Sequence, residues 1–481
     1  MYSILGPVPL LSRGFIVTMV CQENLNQVLE NFAAPLYVTY VSASRDPFDF
    51  SFSHISSDIT LGTPLLCPEL QCKPPWLLVC GVLLTSCYTL TIYLDTHIHA
   101  SQYPNCGVFG KTTLLDWLNK YTFPLESSLS DTANARKVYS RCISRTLSHG
   151  TTTAAYFATT HVSSTNILAE VCLEKGQRAF VGRCNMDSDM HPSYYKDASP
   201  SAAVADTRAT IEHIASIDPL NSLVTPIITP RFAPSCTASL LSELGALHKE
   251  TNYPIQTHVS ENPSEIALVA KLFPDCVSYA DVYDTHGLLT PRTVLAHGVH
   301  LTPDERILIK QRRSKVSHCP VSNTSISSGL CPVRTLLDDG IDVGLGTDVS
   351  GGYSASILVA AREAAMVSRT IAALTPEDED KDRQKMSVEE CLYLATKGGA
   401  KCLGLESKVG AFEVGMRWDA QMVQLASADE DAGEGMPTED EGLVELWGGE
   451  TWDEKLAKWM FCGDDRNTKK VWVNGRLVHE R

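Results

Sequence analysis

Short apolar runs rich in β-branched residues recur along the middle of the chain and are typical of buried strands. We identify eight of them, at residues 92–97, 151–157, 178–184, 223–229, 255–258, 293–297, 315–318 and 342–346. Between the runs lie longer stretches with helical spacing of apolar positions, at residues 113–120, 133–147, 202–217, 237–249 and 263–272. Repeated alternation of strand and helix over about 250 residues predicts an α/β fold of the (β/α)₈, TIM-barrel type.

The pattern changes after the eighth strand. Helices are predicted at residues 355–370 and 387–402, and the tail from residue 408 onward is strand-like. Asn474-Gly475 near the end is a typical hairpin turn. Two acidic stretches, residues 376–385 and 427–442, are predicted to be solvated surface loops.

Charge and cysteine usage narrow the class of partner and the compartment. The formal net charge is −16, from 40 basic and 56 acidic residues, which disfavours nucleic acid as a partner. The 16 cysteines are scattered, and no C-x-x-C motif occurs. This distribution is typical of reduced thiols in a cytoplasmic protein.

One apolar run could indicate a membrane segment. Residues 76–94 carry no charge, and their length approaches the ~20 residues of a membrane-spanning helix. The run is nevertheless rich in Thr, Tyr, Val and Ile, which favour strands, and it continues into the first predicted barrel strand. We therefore expect strands here and no membrane partner.

The strongest chemical signal is Asp95-Thr96-His97-Ile98-His99. Alternate residues of a strand face the same side, so His97 and His99 are expected to point together into the barrel. Two neutral imidazoles at this spacing can bind one divalent metal ion, although the pair alone is a weak signal.

Further ionisable residues follow other predicted strands. His258 ends the fifth strand with Glu261 three residues later, His297 ends the sixth, and Asp348 follows the eighth. Active sites of such barrels form at the carboxyl ends of the strands. Because these histidines and acidic residues would meet at the carboxyl ends of the strands, the sequence predicts a metal site there.

Several blocks resemble those of the guanine deaminase family within the amidohydrolase superfamily. They are LDTHIHASQY, DWLNKYTFPLE, TTTAAYFAT, GQRAFVG, TPRF, HVSE, AHG, HCPVSNTSISSG, GLGTDVSGGYS and GDDRN, and they extend from about residue 93 to the C-terminus. The resemblance implies a zinc-dependent hydrolase that converts guanine into xanthine and ammonia in purine catabolism. It also implies a homodimer with one zinc ion per subunit.

The resemblance also implies a role for individual residues. The zinc ligands correspond to His97, His99, His258 and Asp348. Glu261 corresponds to the proton shuttle, His297 to the residue that orients water, and Asp348 to the acceptor of the water proton. The substrate pocket corresponds to Gln102, Arg231, Phe232 and His258. His318 and Asn323 are predicted to shape only the pocket wall. Zinc suits the reaction because it lowers the pKa of a bound water to about 7.

The resemblance divides the chain into three parts. Residues 94–404 correspond to the barrel, and residues 405–481 to the C-terminal part of a small β-sandwich formed by the chain termini. Residues 1–93 are atypical for the family, either because they have diverged or because they come from a misassigned coding sequence. We expect part of this segment to contribute to the sandwich.

Three alternatives to an active guanine deaminase stay open at this stage. A related enzyme could act on another aminated heterocycle, such as a triazine or a pterin. A metal-free barrel could serve as a binding protein. The chain could also be inactive because its N-terminus does not complete the fold.

Overall fold

The computed structural model describes residues 80–82, 87–111, 113–377, 380–427 and 444–481. Most of the N-terminal segment, nearly all of the acidic stretch 427–442 and part of the stretch 376–385 lie outside the described residues. The described chain forms two compact units, a large one spanning Ile92–Gly410 and a small one that includes Ala411–Arg481.

The strands, numbered in chain order, are β1 Cys80–Val82, β2 Cys87–Thr91, β3 Tyr93–His99, β4 Thr151–Phe157, β5 Arg178–Gly182, β6 Cys184–Asn185, β7 Val224–Pro226, β8 Thr229–Pro230, β9 Ile255–Val259, β10 Thr293–His297, β11 Lys315–His318, β12 Val343–Leu345, β13 Ala420–Gln424, β14 Ala426–Ser427, β15 Glu445–Leu446, β16 Thr468–Val473 and β17 Arg476–Glu480.

The longer helices are Thr132–Ser148, Val162–Lys175, Pro200–Ile217, Ala238–Thr251, Pro263–Leu272, Pro303–Arg312, Ile357–Leu374 and Trp452–Cys462. The shorter α-helices are Leu114–Trp117, Phe123–Ser128, Tyr279–Thr285, Pro320–Ser325, Val333–Asp338, Lys381–Gln384, Val388–Tyr393 and Gly399–Cys402.

The large unit is the predicted (β/α)₈ barrel. Strands β3, β4, β5 and β7 pair in parallel in that order, and β9, β10, β11 and β12 form a second parallel set. Ile228 joins the two sets because its carbonyl accepts a hydrogen bond from Gln256 N at 3.0 Å. The barrel closes where Asp348 N donates to His97 O at 2.9 Å.

Four predicted elements are divided in the structure. Besides the helix predicted at 387–402 and the strand predicted at 178–184, two cases show the difference most clearly. The helix predicted at 113–120 is α-helical only at Leu114–Trp117, and it continues through a π turn at Leu118–Thr122 into Phe123–Ser128. The strand predicted at 223–229 is divided into β7 and β8. The apolar pattern located both segments, but tertiary contacts set their local geometry.

A buried apolar cluster joins the barrel strands to the segment that follows the last barrel helices. Its members are Ile92, Leu94, Ala155, Phe180, Ile227, Val294, Ala400, Leu403, Leu405 and Val409. Burial of these apolar side chains stabilises the barrel, by about 25 cal/mol for each Å² of apolar surface removed from water.

The small unit contains a five-stranded sheet in the order β1-β2-β13-β16-β17, and every neighbouring pair is antiparallel. Strands β16 and β17 form the predicted hairpin, in which Asn474 and Gly475 have φ values of 52° and 81°. A type I′ turn requires positive φ at both positions, which explains this residue pair.

Apart from Ile92, which lies between β2 and β3, the described residues of the apolar run 76–94 lie in strands β1, β2 and β3, as expected. Within the described part of the chain, no helix is both long enough and apolar enough to cross a bilayer.

Candidate active site

Three imidazoles and one carboxylate converge at the carboxyl ends of the barrel strands. His97 and His99 belong to the end of β3, His258 to β9, and Asp348 lies three residues beyond β12. Asp348 Oδ1 is 3.1 Å from His97 Nε2 and 3.5 Å from His99 Nε2. The Nε2 atoms of His99 and His258 are 3.2 Å apart. The structure thus brings together the four residues predicted as metal ligands.

The nitrogens of this cluster are available to a metal ion. His97 Nε2 is buried and makes no hydrogen bond among the described residues, although Asp348 Oδ1 lies 3.1 Å away. The Nδ1–H of His258 donates to the Arg231 carbonyl at 2.5 Å, which leaves the Nε2 lone pair directed into the cluster. Buried nitrogens without partners are costly unless an ion or water binds them, so the donor set fits a metal such as zinc.

The protonation states of the three imidazoles agree with this fit. Burial lowers the pKa of His97, and it lowers the pKa values of His99 and His258 well below the ordinary range. Neutral imidazoles have the free lone pair that a metal ligand needs. Although burial opposes ionisation of Asp348, its interactions with the surrounding histidines, first His97 and then His297, hold its pKa well below the usual value.

The segment around Asp348 is held against β3 by Asp95. The buried carboxylate of Asp95 accepts hydrogen bonds from Thr347 N at 3.1 Å and Thr347 Oγ1 at 2.5 Å. Gly346 lets the two segments approach, because a Cβ there would lie 2.8 Å from His97 Cβ. Burial raises the pKa of Asp95 to about 7.

Two site residues adopt the left-handed backbone conformation. His297 has a φ of 75° and Asp348 a φ of 45°. Such conformations cost about 1–3 kcal/mol in non-glycine residues and concentrate at functional sites. Here they occur at the ends of two barrel strands, where both side chains reach the site.

Glu261 and His297 lie next to the histidine cluster. Glu261 Oε2 is 3.4 Å from His297 Nε2, which is 3.8 Å from Asp348 Oδ2. Ser328 Oγ donates to the other oxygen of Glu261 at 2.9 Å. Burial raises the pKa of Glu261 above its usual value. A carboxyl group with a raised pKa is suited to hold a proton and to release it during a reaction.

A cavity of about 380 Å³ opens onto these residues. Its lining comprises His99, Gln102, Leu114, Trp117, Leu118, Arg231, Phe232, His258, Glu261, His297, Ile326 and Asp348. The lining combines apolar walls with a few polar groups, as ligand sites do.

The polar wall of the cavity is centred on Arg231, whose guanidinium forms a bidentate pair with Glu126 at 2.6 and 3.1 Å. Gln102 Nε2 donates to the same carboxylate at 2.9 Å. On the other side of the amide, Gln102 Oε1 accepts from Ser350 N at 3.2 Å. Arg231 is buried and paired inside the barrel, so it is not a surface salt bridge.

Residues 91–478 match the model of the amidohydrolase family. The chain belongs to this family. Amidohydrolases similar to the chain include a probable guanine deaminase from Schizosaccharomyces pombe, 51% identical over 385 residues, which cover 80% of this chain and 70% of that protein. The guanine deaminase of Mus musculus is 41% identical over 389 residues, which cover 80% of this chain and 81% of the mouse protein.

Solved structures give the same result for the fold. A guanine deaminase from C. acetobutylicum with guanine bound in its active site has a TM-score of 0.71 and 35% identity to this chain. The match covers 81% of this chain and 87% of that one. The resemblance that the motifs indicated is thereby confirmed.

Some roles in this amidohydrolase site were not evident from the sequence. Glu126 and Ser328 received no role, although each lies within a block that carried the family resemblance. Asn323 does not line the main cavity as predicted; its Oδ1 accepts from His297 Nδ1 at 2.8 Å. His318 does not line the main cavity but a second one of about 220 Å³, which corrects its predicted place.

Phe232 serves both the pocket and the packing around it. Its ring lines the cavity and belongs to a buried cluster with Leu114, Trp117, Leu118, Phe123, Met186, Tyr195 and Ile326. An aromatic face supported by such a cluster can stack on a flat heterocycle at low conformational cost.

Proposed function

We propose that this chain is a zinc-dependent guanine deaminase, which hydrolyses guanine to xanthine and ammonia. One observation carries the proposal. A single cavity is bordered by His99, His258 and Asp348 of the His/Asp cluster, by the buried acid Glu261 and by the polar wall of Arg231 and Gln102. Metal-assisted hydrolysis needs a metal-binding cluster and an acid that transfers protons. Recognition of a purine needs a polar wall such as that of Arg231 and Gln102. The similarity to guanine deaminases that cover most of the chain supports the same substrate.

His97, His99, His258 and Asp348 would hold one zinc ion per subunit. Bound there, zinc supplies Lewis acidity that lowers the pKa of a coordinated water.

The purine is oriented by groups that are already in place. Arg231 and Gln102 present N–H donors to the carbonyl edge of guanine, and Phe232 packs against the ring. His258 borders the same cavity, so it contacts the substrate as well as the metal site. This arrangement would place the C2–NH₂ end of the base toward Glu261 and Asp348.

The protons are moved by Glu261, Asp348 and His297. Asp348 accepts a proton from the attacking water, while His297 orients that water through Nε2. Glu261 protonates a ring nitrogen next to C2 as the new C–O bond forms. When the C2–N bond breaks, the amine takes the proton that Asp348 accepted and leaves as ammonia. Glu261 takes the proton of the new C2 hydroxyl as the carbonyl forms, so both groups are restored and one water is consumed for each ammonia released.

The proposal extends to the setting of the enzyme. The reaction serves purine catabolism. The enzyme acts in the cytoplasm, as a homodimer. Scattered cysteines without paired motifs support a reducing compartment.

Ammonia release from guanine tests the proposed function. We expect the purified, zinc-supplied chain to release ammonia from guanine and not from adenine, which lacks the carbonyl that Arg231 recognises. No ammonia from guanine with a fully loaded metal site would overturn the proposal.

The variant Glu261→Gln separates proton transfer from metal binding. It should lose about 10²–10⁴ in kcat and keep its zinc, because Glu261 is not a ligand. His258→Ala should lose both zinc and activity. Retained activity in both variants would contradict the assigned roles.

A further inference from the structure

Glu126 is a fully buried carboxylate that lies behind the polar wall of the cavity. It accepts hydrogen bonds from Arg231, from Gln102 and, at 2.8 Å, from the hydroxyl of Tyr195. Ser101 Oγ lies 3.5 Å from the same carboxylate. Arg231 and Gln102, the two side chains proposed to recognise the purine, thus donate hydrogen bonds to the same carboxylate.

The pair of Glu126 and Arg231 carries no net charge. Both side chains are buried, at 0% and 2% exposure, so water screens neither charge. Although burial opposes it, the charge of Glu126 raises the pKa of Arg231 above its usual value. The guanidinium is therefore a set of oriented N–H donors whose positive charge is already balanced.

The guanidinium of Arg231 keeps N–H donors that the pair with Glu126 does not use. Arg231 also lines the cavity. The amide of Gln102 is held at both ends, by Glu126 and by Ser350. Both side chains are pre-organised, so little conformational entropy is lost when a ligand binds.

A charge-balanced donor wall favours a neutral acceptor over an anion. A lactam carbonyl receives the remaining N–H groups at little electrostatic cost. A purine anion must leave water and also approaches the negative charge of Glu126, while the charge of Arg231 is already compensated.

We propose that Glu126 is a positioning and specificity-determining residue, which orients Arg231 and Gln102 and makes the pocket select neutral over anionic purines. The inference rests on the proposed function, since it assumes that a purine occupies the cavity.

The test compares the variant Glu126→Gln with the wild-type protein. The inhibitors are hypoxanthine, which is neutral at neutral pH, and urate, which is an anion there. In the variant we expect a higher KM for guanine, unchanged zinc content and a ratio of the urate to the hypoxanthine inhibition constant that falls about tenfold. A purely structural role would lower the amount of folded enzyme without changing that ratio.

Glu174→Gln is the matched control. Glu174 pairs with Arg136 on the surface, where such pairs contribute little, so KM and the inhibitor ratio should not change. A folded, zinc-loaded Glu126→Gln protein with a wild-type inhibitor ratio would overturn the proposal.

Loss of Glu126 leaves a buried cation without its partner, which can prevent folding. Direct binding of the two inhibitors to the wild-type holoenzyme then decides the question. Tighter binding of hypoxanthine supports the proposal, and tighter binding of urate contradicts it. A wild-type protein that prefers hypoxanthine but releases no ammonia from guanine would contradict the proposed function and not this inference.

Discussion

Asn323 Oδ1 lies 2.8 Å from His297 Nδ1, and both residues are buried. The amide oxygen can only accept, so the proton of His297 resides on Nδ1 and Nε2 faces Glu261 and Asp348. Although burial acts in the opposite direction, the charges of Glu261 and Asp348 raise the pKa of His297 above its usual value. Asn323 thus determines which nitrogen of His297 meets the reacting water.

Replacing Asn323 by leucine should lower kcat by about 10–100-fold, the usual effect of removing the partner that orients an active-site histidine. Zinc content should not change, because neither residue is a proposed ligand. Asn323→Asp is the control, since it keeps an acceptor at the same position and should lose less activity. Equal losses in the two variants would show that the Nδ1 hydrogen bond does not matter.

Ser328→Ala should lower kcat more than it raises KM. The hydroxyl donates to Glu261 Oε1 at 2.9 Å, and its removal frees the carboxyl group to rotate away from the reacting atoms. We expect a loss of about tenfold, equivalent to about 1.4 kcal/mol, in steady-state assays with guanine. Ser325→Ala, in the same segment, should behave like the wild type. If Ser328→Ala keeps the wild-type kcat, the hydrogen bond does not orient Glu261.

Removal of the metal should lower thermal stability as well as activity. Zinc that binds only the folded chain stabilises it by about 2.7 kcal/mol at a concentration 100 times its Kd. A chelator should therefore lower the Tm of the wild type and leave the Tm of His99→Ala unchanged. Calorimetry combined with metal analysis checks both effects. If the chelator does not change the Tm of the wild type, the proposed ligand set is contradicted.

Glu265 predicts a pH dependence of stability. This carboxyl is fully buried and accepts from the backbone N–H of Glu261 at 3.0 Å and from the Tyr279 hydroxyl at 2.7 Å. Burial raises its pKa from 4.5 to about 7. Between these pH values the folded chain keeps a proton that the unfolded chain releases, so the free energy of unfolding decreases as the pH rises. The contribution is fully present below pH 4.5 and is lost by about pH 7.

Urea unfolding of the wild type and Glu265→Gln at several pH values measures this contribution. The variant has no proton to release and should lack a slope of up to about 1.4 kcal/mol per pH unit. Glu265 is also the capping-box glutamate of the helix Pro263–Leu272, so its replacement removes a cap as well as a titrating group. Glu305→Gln removes the equivalent glutamate of the helix Pro303–Arg312 and reports the stability lost with the cap alone. Identical pH dependence in the wild type and Glu265→Gln would contradict the prediction.

Much of this protein could be predicted from the sequence because its signals are local. Apolar periodicity predicted the eight strands, because buried strands and amphipathic helices have different spacings of apolar residues along the chain. The spacing of His97 and His99 placed two imidazoles on one side of β3 for the same reason. The family blocks indicated the other site residues, which lie at the ends of barrel strands or within three residues beyond them.

Only the tertiary structure decided which side chains act together. Glu126 is 105 residues from Arg231, and Ser328 is 67 residues from Glu261, so no local pattern relates the members of either pair. The π turn at Leu118–Thr122 and the left-handed backbone of His297 and Asp348 run against local propensity and depend on packing around them. A buried charge without a partner is strongly destabilising, and the partner can come from any part of the chain that the fold brings close. For Arg231 that partner is Glu126.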